Sequence, residues 1–136
     1  MKGKIYRTDD VERMLPLVSQ IAADLVLAYG EVTRALHAYQ AEEAATRADA
    51  SREPLLEACN RTVEAGLDRL QSLVDEMESL GGTVRDYENA SVDFYGEHEG
   101  QIVYLCWQLG ERHVAHWHGL DEGFARRRPL ALPAAA

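Results

Sequence analysis

At 136 residues, with 46% apolar and 27% charged side chains, the chain is the size of one domain and can bury a core without staples. Twenty-three acidic residues against 14 basic ones leave a net charge of −9, which repels nucleic acid, and Arg126-Arg127-Arg128 is too short a basic run to offset it. Met1 to Asp10 passes from basic to acidic with no apolar core, so no secretory leader is expected, and no apolar run looks long enough to span a membrane. Cys59 and Cys106 lie far apart without C-x-x-C spacing and read as two reduced thiols of a cytoplasmic protein.

In the first third, Val11, Leu15, Val18, Ala22, Leu25, Tyr29, Val32, Leu36 and Tyr39 recur at alternating steps of four and three. That is the seam of a helix packed along its length against another, and it predicts a helix over 9–45. Asp9, Asp10 and Glu12 put negative charge where the helix dipole favours it. Pro16, two turns in, predicts a kink or a separate first turn. Ala41–Glu53 is small and charged, and reads as fraying plus a connection.

Pro54 suits a helix's first turn, and a second seam of Leu56, Cys59, Val63, Leu67, Leu70, Val74, Met77 and Leu80 predicts a helix over 54–80, stopped by Gly81-Gly82. The two helices, each about 40 Å long at 1.5 Å per residue, must form an antiparallel hairpin. Gly30 and Gly66 are equidistant from residue 48, so they are expected to face each other where the backbones approach. A hairpin of this length has more apolar seam than a small sheet covers, which predicts a homodimer through the helices.

After Gly82 the texture changes. Thr83–Tyr87, Ser91–Tyr95, Gln101–Trp107 and His113–Trp117 are short, β-branched and aromatic, and are separated by turn residues. They predict an antiparallel sheet of three or four strands over 83–118. Residues 119–136 are expected to be irregular, with a frayed end. Helices followed by strands define an α+β domain.

Polar and aromatic side chains crowd into 93–128. His116-x-His118 on a strand points two imidazoles to one face; with Glu111 and Asp93 they would make an open, catalytic-type site for Zn, Fe or Mn. The same groups can be read without a metal. Asp93, Glu111, His118 and Arg127 could form a buried network, with Arg127 gripping a carboxylate through its planar fork. Or His118, Glu111 and Arg127 could hold a small anionic ligand between walls formed by Trp107, Trp117, Tyr104 and Phe124. Cys106 beside a histidine would be needed for a cysteine hydrolase, but between Leu105 and Trp107 it reads as inert packing. No phosphate loop, G-x-S-x-G or H-E-x-x-H motif is present. A binding module and a structural or protein-interaction protein therefore stand ahead of an enzyme.

Two stretches carry a family resemblance. Tyr6 to Leu17, and then Val92-Asp93-Phe94, Leu105-Cys106-Trp107, Gly110-Glu111, Trp117-His118, Gly123-Phe124 and Arg127-x-Pro129, occur in the order that marks the bacterial family called domain of unknown function 2203. The chain resembles that family over nearly its whole length. The resemblance carries His118 but not His116. It implies a small bacterial cytosolic protein with no assigned activity.

Overall fold

The computed structural model describes residues 4–130. Helix α1 runs Thr8–Ala48 and helix α2 runs Glu53–Ser79. A five-stranded antiparallel meander follows, in spatial order β1 to β5: Gly82–Asp86, Ser91–His98, Gln101–Gln108, His116–His118 and Arg128–Pro129. The chain is thus α+β, as its periodicity predicts, with one strand more than expected. The expected fraying falls largely on 131–136, outside the described residues.

Helix α1 begins with the Arg7 N–H donating to Asp10 Oδ2 at 2.8 Å. It then passes unbroken through Pro16, so the expected separate first turn is absent. The proline forfeits one backbone bond, while Val11, Leu15 and Val18 around it are all buried. The connection is tighter than expected, a single 3₁₀ turn at Ala50–Arg52.

Val11, Leu15, Val18, Ala22 and Leu25 pack with Val74 and Met77 against Val92, Phe94, Leu105 and Trp107 of the sheet. Beyond Val32 the seam thins. Leu36 and Leu67 are exposed, and along the outer arm of the hairpin Val32, Thr46 and Val63 are the buried residues. The expected Gly30–Gly66 apposition does not form. A Cβ on Gly66 would meet Val32 Cγ2 at 3.1 Å, whereas one on Gly30 would meet only the Arg34 side chain. The helices are offset, so glycine opposes valine.

Helix α1 contains an 18-residue window with mean hydropathy 1.3, long and apolar enough to cross a membrane by composition, contrary to the sequence reading. Its core-facing residues pack on the sheet, which is compatible with a soluble protein.

Two turns fix the sheet. Gly81 has φ +92° and lies against the Tyr6 ring, where a Cβ would collide with it. Tyr6 in turn donates its hydroxyl to the Leu80 carbonyl at 2.7 Å, tying the start of the chain to the end of α2. Glu99 and Gly100, at φ 50° and 80°, make the two-residue turn between β2 and β3.

Candidate functional site

Strand alternation sorts the C-terminal third into two faces. Val92, Phe94, Leu105 and Trp107 face the helices. Asp93 is paired with Cys106, Cys106 with His116, and Tyr104 with His118, so these five side chains share the outer face. Yet that face is not open. Asp93, Cys106 and His118 are 3%, 0% and 1% exposed. Residues 119–130 fold back over the face, anchored by β5 on β4 and by the Leu130 N–H donating to the Ala115 carbonyl at 2.8 Å.

The centre of the cluster is a pair. His118 Nε2 lies 3.0 Å from Asp93 Oδ2, and Nδ1 lies 2.9 Å from the Gly119 carbonyl. A carbonyl only accepts, so Nδ1 carries a hydrogen and Nε2 is the nitrogen turned toward Asp93. Asp93 Oδ2 also accepts from Arg85 Nε at 3.1 Å. Cys106 completes the group: one ligand atom each from Asp93, Cys106 and His118 lie within 4.8 Å of one another. Burial, then the Asp93 charge, push the Cys106 thiol up to about 12, against the pull of the Arg127 guanidinium.

Arg127 joins this centre to a second pair. Its Nη1 and Nη2 donate to Glu111 Oε1 and Oε2 at 3.0 and 2.7 Å, and Glu111 Oε1 also accepts from the Gln108 N–H at 2.8 Å. Burial raises the Glu111 carboxyl, but Arg127 and Gln108 outweigh it and leave it below its ordinary value. His116 Nδ1 stands 3.8 Å from Glu111 Oε2 and is buried without a hydrogen-bond partner among the described residues.

The expected site residues therefore divide. Asp93 and His118 meet, and of the two carboxylates open to Arg127 it grips Glu111. Glu111 and His116 do not enter the group that closes round one point; their place beside Asp93 and His118 is taken by Cys106, read from sequence as inert packing. The apolar neighbours Leu105 and Trp107 prompted that reading, but in a strand they point the other way. Asp93 and Cys106, each flanked by apolar residues on a strand, were the available signal. Trp107 and Trp117 are not walls of the site. Trp107 is in the core, donating to the Glu111 carbonyl at 3.0 Å, and Trp117 shares the Leu105 side, between the His98 ring and Arg128. His113 lies in the loop before β4, bound with the Val114 N–H to Glu12.

A cavity of about 190 Å³ reaches Asp93 from outside, between Arg85, Ser91 and Tyr104 of the sheet and Glu122 and Phe124 of the covering segment. The cluster does not have the form of a cysteine hydrolase. His118 offers both ring nitrogens elsewhere and the thiol is held protonated, so no base is poised to activate Cys106.

Fold and site together define an α+β domain with a long helical hairpin and a buried carboxylate–thiol–imidazole cluster on the far face of its sheet. The chain belongs to the uncharacterized conserved protein family DUF2203, whose model matches residues 4–130. Searches of curated proteins and of solved structures returned no match.

Proposed function

We propose that this protein is a binding module for a divalent transition metal, held by Asp93, Cys106 and His118. The observation that carries the reading is the meeting of three different ligand types, all buried, within 4.8 Å. Four-coordinate zinc needs its ligand atoms roughly 3.3–3.6 Å apart, so small side-chain shifts would bring the set to that spacing. The Nδ1–H to Gly119 contact supports it too, since a metal-binding imidazole ordinarily anchors its other nitrogen on a carbonyl or carboxylate. A thiolate, an imidazole and one carboxylate suit Zn²⁺ or Fe²⁺ better than a hard ion. As fold stabilisers alone these residues are a poor choice, because apolar side chains of similar volume hold a core at least as well as a buried ion pair. Both cysteines are free, and a reducing, cytoplasmic setting would keep the Cys106 sulfur available.

Metal-free full-length protein titrated with Co²⁺ tests this. One equivalent should bring up a near-ultraviolet thiolate-to-cobalt band. Cys106→Ser should abolish the band, and Cys59→Ser, on α2, should keep it. No band in the unsubstituted protein at any cobalt concentration overturns the reading.

A second reading concerns the hairpin. Its outer arm buries little and exposes Leu36, Leu55 and Leu67. That supports a homodimer through the helices, and with it a protein-interaction role in which the cluster only braces the sheet.

A further inference from the structure

Resting on the metal reading, we infer that the metal's remaining coordination position takes a small oxyanion of carboxylate size, with Arg85 as its second anchor. Three protein ligands leave a fourth position open on a tetrahedral ion. Of the three, Asp93 is the one that lines the cavity of about 190 Å³. The cavity, lined also by Arg85 and Phe124, holds the equivalent of about six waters at ~30 Å³ each, which admits a few heavy atoms and no more.

Charge specifies the rest. A divalent ion would be neutralised by the Asp93 carboxylate and by the Cys106 sulfur, which would release its proton to solvent on binding. Arg85, whose Nε now donates to Asp93 at 3.1 Å, then loses its counter-charge to the metal. The remaining charged residue that lines the cavity, Glu122, is already matched by Arg128 at 2.9 Å. One positive charge is left at the cavity wall, beside the Ser91 and Tyr104 side chains. A monoanion that reaches the metal with one oxygen and the guanidinium with the other balances it, and the guanidinium fork matches that geometry. The anion expected from sequence at Arg127 is thereby moved to Arg85, because Glu111 already takes both terminal nitrogens of Arg127 and its charge.

The test uses the full chain saturated with Co²⁺, with acetate as the anion and acetamide as its neutral isostere, at constant ionic strength. Acetate should shift the visible cobalt bands saturably and acetamide should not. In the cobalt-saturated Arg85→Gln variant, the acetate concentration for half-saturation should rise about tenfold. Cobalt bands that ignore acetate, or that respond equally to acetamide, overturn the inference while leaving the metal reading intact, and so does an Arg85→Gln variant that binds acetate like the parent. Absence of the thiolate band before any acetate is added overturns both.

Discussion

Asp93 Oδ2 and His118 Nε2 stand 3.0 Å apart with side chains 3% and 2% exposed, a buried contact between strands that β3 separates. Removing either partner breaks the buried pair, leaving Asp93 to Arg85 Nε and His118 to the Gly119 carbonyl. Asp93→Ala or His118→Ala, in metal-free protein, should each cost about 3–5 kcal/mol in urea unfolding. The double variant should cost clearly less than the two losses combined, because neither group is left uncompensated. Strict additivity would show that the contact is not an energetic unit.

The Glu111–Arg127 pair contributes to the acid response. The Glu111 carboxyl is held below its ordinary value near 4.5 in the folded chain. A lowered folded value means that the pair's contribution is complete above the unfolded carboxyl's range and is lost as pH falls through the folded value. The urea midpoint should therefore hold steady above pH ~6 and decline below pH ~5. Glu111→Gln should be less stable at neutral pH and lose less of its stability on acidification. An unchanged acid slope in that variant would assign the response to other carboxylates.

The large elements of this fold can be read from the chain because their signal is periodic. The four–three spacing from Val11 to Val32 and the alternation through Ser91–Tyr95 each report a face turned to the core. What periodicity cannot report is a segment whose place is set by contacts made far away. Residues 119–130 carry no pattern of their own; they are laid over the sheet by Arg127 on Glu111, the Leu130 N–H on the Ala115 carbonyl and two residues of β5. The cluster inherits that limit. Asp93 and His118 are visible as polar residues within strands, whereas Cys106 reads as core until β3 is given two unlike faces. Leu36 and Leu67 fail in the opposite direction, since a heptad position predicts burial only where something lies opposite it.

The two mid-helix glycines should respond differently to alanine. Gly30 meets only the flexible end of Arg34 at 3.4 Å, so Gly30→Ala should stabilise the helix by about 0.5–1 kcal/mol. A Cβ at Gly66 comes within 3.1 Å of Val32, a buried β-branched residue with little freedom to turn. Gly66→Ala should therefore forfeit most of that gain to crowding. Thermal melts of the two variants decide it; equal shifts would mean that the backbones part readily at Val32.

The outer arm of the hairpin bears on assembly. Two helices that meet through only a few buried residues beyond the sheet are marginal alone, because helical stability comes mainly from packing an apolar face. Here those residues are Val32, Thr46 and Val63, and one of the three is polar. Leu36 and Leu67, 41% and 47% exposed, are left in water on the same arm. A second copy related by a twofold axis would cover both without requiring any other partner, and closes the assembly at two. Light scattering at micromolar concentration should give twice the chain mass. Replacing both leucines with glutamate should yield a monomer whose sheet still melts cooperatively, since neither side chain reaches the Phe94–Trp107 core. A monomeric parent protein would instead mean that the arm is held by its own helix–helix contact.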